Sequence, residues 1–409
     1  MPVSVWILAG ISLSVALGFG IVAPVLPTFA REFGVGNFAA SAVISVFAAM
    51  RLIFSPVVGR LGDRLGERTV LIVGIIIVAV SSALAGLSHS YVQLLTLRGA
   101  GGIGSAMFSV SGMSILLGSV SSELRGRASA LYQGGFLLGA IAGPGLGGLV
   151  SGISLRAPFF VYAGTLVIAA IVGLFLPSPR RRTMASPTQE TDVAETPLTW
   201  GELLRNADYQ AACVTSFCVG WVNHGVRASL VPLLVAATMY DVPEQAARWT
   251  SIAMAVGAGV QAVAVMPAGS VVDRVGRRPP MIVATLAGAV GIAAIPLCHS
   301  IIPLTCVLAF YALSSAALGS APAAVVGDVA GGRSTRAVAV FSMCSDFGSI
   351  VGPLAAGKIA DSFGFTPAFT LAAIMWLAAT AMCFRMPDAY RRPGGTGRGE
   401  WSGRGESAQ

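Results

Sequence analysis

The sequence predicts an all-α integral membrane fold of twelve transmembrane helices, arranged as two pseudo-symmetric six-helix bundles. Three observations carry this expectation. Of 409 residues, 55% are hydrophobic and only 11% charged, whereas a soluble domain carries about 25% charged residues. The charges fall between long apolar runs, each close to the roughly 20 residues a helix needs to cross a hydrocarbon core of about 30 Å. Landmarks in the first half of the chain recur in the second at a fixed spacing.

The apolar runs place spans at residues 4–30, 38–58, 69–88, 92–118, 129–150, 158–176, 208–236, 248–268, 280–298, 303–326, 337–357 and 365–385. They are continuous and do not alternate, which argues against a strand barrel. The first run is too long for a signal peptide and lacks a basic leader, so it is read as a retained helix. Residues 178–207 form the one long polar stretch inside the chain and divide the spans six and six. This stretch is read as a cytoplasmic linker between an N-terminal bundle (1–177) and a C-terminal bundle (208–386). From Thr196 it carries a short amphipathic helix, with Pro197 at its first turn and Leu198, Trp200, Leu203 and Leu204 on the apolar side. The Gly/Arg-rich tail, 387–409, is read as disordered and cytoplasmic. Cys213, Cys218, Cys298, Cys306, Cys344 and Cys383 all fall in apolar runs without CxxC spacing, and are read as small packing residues.

The formal charge of +8 has an explanation in orientation. All basic residues are Arg except Lys358. Those between spans gather on one side: Arg60, Arg64, Arg68, Arg125, Arg127, Arg274, Arg277, Arg278, Arg333 and Arg336, with further arginines in the linker and tail. Only Arg31, Arg156, Arg248 and Lys358 fall on the other side. The positive-inside rule then places both termini in the cytoplasm of a cell with this chain in its inner or plasma membrane. No nucleic-acid partner is needed to account for the charge.

The halves repeat. Asp63 and Asp273 are 210 residues apart, as are His89 and His299; Gly143-Pro144 and Gly352-Pro353 are 209 apart. Duplicated halves that enclose a site near the midplane can rock around it and expose it to each side in turn.

Between the second and third spans stands Gly59-x-x-Gly62-Asp63-Arg64-x-Gly66-Glu67-Arg68, echoed by Asp273-Arg274-x-Gly276-Arg277-Arg278. This pattern resembles the signature loop of the major facilitator superfamily, Gly-x-x-x-Asp-Arg-x-Gly-Arg-Arg. The resemblance covers nearly the whole chain outside the linker and tail, and implies a gating role for these residues. Glu67 departs from it, since the family places a basic residue there. Asp328 and Glu123 are expected to pair with the loop arginines. In the fifth span, Gly135, Gly139, Gly143, Pro144, Gly147 and Gly148 resemble the antiporter motif of the family's twelve-helix drug/proton exchangers, which implies a hinge and seal between the halves. Glycines four apart also permit close helix contact on their own account.

The ionisable side chains inside spans are Arg51, Arg98, His224, Arg227 and Asp346, with Asn223 beside them. Charges there face a cavity or a partner. For Arg98, which resembles the family's fourth-helix arginine, two readings stand: a cavity group, or a structural cation bonded to carbonyls. Asn223, His224 and Arg227 are spaced to share one helical face. Asp346 is the one central carboxylate. Burial disfavours its charge and a neighbouring Arg favours it, so it is either a proton carrier or a permanent ion-pair partner of Arg51, Arg98 or Arg227.

The sequence contains no phosphate-binding loop, no HExxH and no Gly-x-Ser-x-Gly elbow, so neither enzyme chemistry nor a cofactor is expected. The expectation is a secondary transporter, single-chain in its working form, that exports a small drug-like or metabolite molecule against protons. The alternatives are import or facilitated passage of a small anionic metabolite, for which three intramembrane arginines speak, and a non-transporting membrane sensor.

Overall fold

Hydrocarbon offers no partner to backbone N–H and C=O groups, so a spanning segment closes its own hydrogen bonds as helix. A computed structural model of the protein describes residues 1–120, 124–176, 205–330 and 335–386. The described residues contain no strand. In the first half, α1 (Val3–Val22) and the short α2 (Leu26–Arg31) make one crossing. They are followed by α3 (Asn37–Leu65), α4 (Glu67–Gly86), α5 (Tyr91–Gly118), α6 (Arg125–Ser151) and α7 (Ala157–Gly173). In the second half, α8 (Ala207–Val219), a π-helical segment (Gly220–Arg227) and α9 (Ala228–Thr238) make one crossing. Then come α10 (Pro243–Val275), α11 (Arg278–Ala294) with a 3-10 turn (Ile295–Leu297), α12 (Ile301–Ala330), α13 (Thr335–Phe363) and α14 (Phe365–Phe384). Ten helices are long and apolar enough to span. The 17-residue α7 and the composite α8–α9 crossing bring the described crossings to the expected twelve.

The structure corrects three details. The first span is not one helix: the chain breaks at Ala23–Val25, beside Pro24. The second and eighth spans run on well past the apolar stretch, because α3 and α10 stay helical through their charged ends to Leu65 and Val275. The signature pattern is therefore mostly helix, and only its glycines turn: Gly66 and Gly276 stand at φ 85° and 96°, the left-handed region glycine enters at least cost. The seventh span is interrupted by the π segment. The expected linker up to residue 204 with its amphipathic helix, the tail 387–409, and Glu123 lie outside the described residues.

The duplication reaches individual hydrogen bonds. Arg68 Nη2 donates to the carbonyl of Leu174, just past the end of α7. Arg278 Nη2 donates to the carbonyl of Phe384 at the end of α14, 2.9 Å away. Donors and acceptors are each 210 residues apart. A cation satisfying the last carbonyls of a helix also meets the negative end of its dipole. One pair of arginines thus ties the sixth crossing of each bundle to the start of its third.

Within the first bundle, α6 lies on α1 at distances only glycine allows. A Cβ on Gly139 would sit 2.5 Å from Leu17 N and 2.6 Å from Ala16 Cβ. One on Gly143 would sit 2.6 Å from Leu17 O, and one on Gly147 2.6 Å from Ile21 O. Lipid is as apolar as leucine, so such backbone contact, rather than hydrophobic burial, holds membrane helices together. Gly139→Ala is expected to destabilise the protein by about 1–3 kcal/mol, read as a lowered melting midpoint in detergent. Gly134→Ala, where a Cβ meets nothing within 4 Å, leaves the midpoint unchanged. Equal midpoints for the two variants would refute the packing account.

Candidate functional site

The short connections alternate the helix directions, so one face carries the α3–α4 and α10–α11 turns and is rich in arginine. On this face Asp63 and Arg64 occupy the last turn of α3, and both are exposed. Arg64 meets the negative end of its helix favourably; Asp63 meets the same end unfavourably. Asp63 has no hydrogen bond or ion pair with a described residue. Asp273 and Arg274 hold the matching last turn of α10. The residue after each turn glycine reaches the fourth crossing of its own bundle with opposite polarity. Glu67 accepts from Ser114 Oγ on α5, whereas Arg277 Nε donates to Asp328 Oδ2 on α12 at 3.2 Å. The departure at Glu67 thus redirects that contact to a hydroxyl, and the expected pairing of Asp328 is present within one bundle.

Two helix pairs make most of the contact between the bundles, α3 with α13 and α6 with α10; α9 adds a smaller contact with α2 and α3, and the π segment touches α3. Of the glycine motif in α6, residues 135, 139, 143 and 147 face α1 of their own bundle. Gly148 instead meets α10, where a Cβ would stand 3.0 Å from Arg248 O and 3.2 Å from Ile252 Cγ1. The motif is therefore two-sided: one face fastens α6 to its bundle and Gly148 makes the seam. Pro144 lies inside α6.

The α3–α13 seam is polar and graded in depth. At the face opposite the arginines, α3 begins after Gly36, with no cap of its own. Asp361 of α13 supplies the cap from the other bundle. Its Oδ1 accepts from Asn37 N at 2.7 Å and its Oδ2 from Phe38 N at 2.8 Å. Gly36 leaves the room, since a Cβ there would stand 2.8 Å from Asp361 Oδ2. Arg31 Nη1 steadies Asn37 Oδ1 at 2.7 Å. Deeper in, Ser45 Oγ donates to the carbonyl of Ile350 at 2.7 Å. Deeper still, Arg51 Nη2 meets Asp346 Oδ1 at 3.0 Å, with both side chains about a third exposed. Beyond Arg51 the exposed positions of α3 multiply, with Val57 50% and Leu65 58% exposed. Only 11% of the most apolar window of α10 is buried. The bundles meet at the opposite face and part toward the arginine-rich one, and the Arg51–Asp346 pair stands where they begin to part.

Arg98 and Arg227 are each held inside one bundle without an acid partner among the described residues. Arg98 is 3% exposed, its Nε has no partner, and its guanidinium lies 4.4 Å from the centre of the Phe47 ring. A desolvated cation–π contact stabilises by about 2 kcal/mol. That is close to the roughly 2.5 kcal/mol insertion cost of a central arginine, so Phe47 makes the charge tolerable without neutralising it. Arg227 closes the π segment with its guanidinium 5.9 Å from the Tyr311 ring centre. Tyr311 Oη donates to Asn223 Oδ1 at 2.8 Å, and Asn223 Nδ2 donates to Ser315 Oγ at 3.2 Å. His224 lies in the same segment. The segment packs on α13, where a Cβ on Gly220 would stand 2.0 Å from Ser345 O, next to Asp346. Single π turns concentrate at functional sites.

Of the six in-span polar groups read from the sequence, the structure pairs Arg51 with Asp346, places Asn223 and Arg227 about Tyr311, and holds Arg98 apart in the first bundle. Sequence reasoning missed Asp361, Phe47, Tyr311 and the π segment. Gly36-Asn37 at an uncapped helix start was a signal for a cap supplied from elsewhere. Among the described residues no three of His, Cys, Asp and Glu gather as a metal site requires.

Comparison with known proteins agrees with this architecture. Multidrug resistance protein 1 of Bacillus subtilis (strain 168) is 33% identical over 167 residues, which is 40% of this chain and 43% of the relative. Quinolone resistance protein NorA of Staphylococcus aureus (strain MRSA252) is 33% identical over 161 residues, 38% of this chain and 40% of the relative. These matches span less than half the length of either curated relative. Among solved structures, a bacterial homologue of the human lysosomal transporter Spinster, inward-facing and occupied, superposes with a TM-score of 0.76 at 16% identity, over 93% of this chain and 95% of that one. The nucleoside transporter NupG superposes with a TM-score of 0.73 at 15% identity, over 94% and 99%. Residues 8–261 and 216–405 match the family model for the Major Facilitator Superfamily, and the chain, a multi-pass membrane protein, belongs to that superfamily.

Proposed function

We propose that the protein exports a small amphipathic molecule in exchange for protons, by alternating access of the cleft between its bundles. The observation that supports this best is the Arg51–Asp346 pair. It is the in-span ion pair that joins the two bundles, it is open enough to meet water or cargo, and its carboxylate can take a proton. With Asp346 ionised, the pair holds α3 to α13; with Asp346 protonated, the charge attraction is lost and the bundles are free to reorient. The two relatives named for drug resistance lend support to the outward direction. The arginine-rich face is then cytoplasmic by the positive-inside rule, and the described state is open inward. In this reading Asp63, Arg64, Arg68, Asp273, Arg274 and Arg277, with Gly59 and Gly62 in the last turns of α3 and Gly66 and Gly276 at the turns that follow, gate the cytoplasmic side. Asp63 stands at an unfavourable helix end until closure brings it a partner.

A second reading, facilitated passage of a small anionic metabolite, draws on Arg98 and Arg227, which have no acid partner among the described residues.

Two experiments test the cycle. Asp346→Asn in proteoliposomes is expected to abolish counterflow driven by an imposed pH gradient while gradient-free exchange persists; proton-driven counterflow at the unaltered rate would remove Asp346 from coupling. Asp361→Ala removes a cap made across the bundles, a loss of about 0.5–2 kcal/mol. This should raise the outward-open population about two- to thirty-fold, read by spin-label distances across the external end of the cleft. Unchanged distances would show that the Asp361 contact does not hold that end shut.

A further inference from the structure

We infer that the transported molecule is an organic anion whose charged group is taken by Arg227. The inference rests on the transport reading above and names the cargo class of the same cleft. Away from the span ends, and apart from His224, the charged groups are Arg51, Arg98, Arg227 and Asp346. Asp346 is matched by Arg51 at 3.0 Å, which leaves Arg98 and Arg227 as uncompensated positive charges among the described residues. In a low-dielectric enclosure such charges act over longer distances than in water and concentrate anions.

The two differ in access. Arg98 lies behind Phe47, whose ring is 6.0 Å from that of Phe19. Phe19 is partly exposed and Phe47 nearly covered, so Arg98 contributes its field from beneath an aromatic cover. Arg227 is partly exposed. Its polar neighbours are engaged with one another: Tyr311 with Asn223, and Asn223 with Ser315. Among the described residues the guanidinium has no hydrogen bond or ion pair of its own, which leaves its donors for an incoming group. Five donors in one plane fit a carboxylate, sulfonate or phosphate. A cationic cargo would meet two like charges and a single carboxylate already in an ion pair, which selects against it.

The test uses three probes built on one naphthyl body, carrying a sulfonate, a hydroxyl or a trimethylammonium group. Their binding to the purified full chain is measured by tryptophan quenching in nanodiscs of zwitterionic lipid. The sulfonate is expected to bind about tenfold or more tightly than the hydroxyl probe, and the ammonium probe most weakly, as a charge-assisted bond implies. Arg227→Gln should reduce sulfonate binding toward that of the hydroxyl probe and leave the hydroxyl probe nearly unchanged, while Arg227→Lys keeps the preference. Absence of a sulfonate preference in the unaltered protein, tighter binding of the ammonium probe, or equal weakening of all three probes by Arg227→Gln would each overturn the inference. The rank order on the unaltered protein stands as a test even where Arg227→Gln fails to fold. The assay uses no gradient, so loss of proton-driven export with the sulfonate preference intact removes the exchange reading alone. The reverse result removes only the cargo assignment.

Discussion

A bilayer supplies no hydrogen-bond partner and no counter-ion, so every polar group within it must be satisfied by the protein or by what the protein carries. The rest of the structure follows from that constraint. The backbone closes on itself as helix. Helices adhere through backbone contact at glycine, as α6 does on α1 through Gly139, Gly143 and Gly147, because lipid gives them no hydrophobic reason to associate. The arginines that begin α4 and α11 settle on the orphan carbonyls after α7 and α14. These contacts lie inside bundles. Between bundles, glycine contacts at Gly148 and Gly357 are joined by polar ones: a carboxylate on two amides, a hydroxyl on a carbonyl, and an ion pair. Polar contacts of this kind can be exchanged for water.

Much of this was legible in the sequence because it is periodic or repeated. Apolar run length gives the crossings, and the 210-residue spacing gives the duplication that the Arg68 and Arg278 bonds display. The glycine motif was legible as a close-packing face, but not as two faces, since which side of α6 meets α1 and which meets α10 depends on how the bundle closes. Asp346 stood out by isolation, and Arg51 was among its named partners. Asp361 did not stand out, because a carboxylate at a span end is ordinary; its role comes from a helix start 324 residues away. The π segment was hidden for a related reason. Gly220 and Gly225 permit the approach to α13, and the widened turn is a tertiary response that local sequence does not encode. The spacing argument that put Asn223 and Arg227 on one face assumed 3.6 residues per turn; the wider π turn keeps them together, and both meet Tyr311.

The sign of the cargo bears on the coupling mechanism. Moving one elementary charge through the membrane potential is worth about 2.3 kcal/mol per 100 mV. An anion leaving a negative interior is driven by that amount without any proton, and exchange for an entering proton doubles it. A cation leaving gains nothing from the potential and depends on the proton. Thermodynamics thus permits both readings of an anion carrier, and the decision passes to Arg51. A cargo that reaches Arg51 competes with Asp346 for it, so protonating Asp346 strengthens cargo binding. Reciprocity then requires cargo to strengthen proton binding, and the two travel together. A cargo confined to Arg227 leaves the Arg51–Asp346 pair intact, and proton and cargo can occupy the cleft in alternate states. Arg227 lies in the π segment packed on α13 and Arg51 lies on α3 of the other bundle. Export by exchange therefore requires that the cargo charge stay with the second bundle and never bridge the seam.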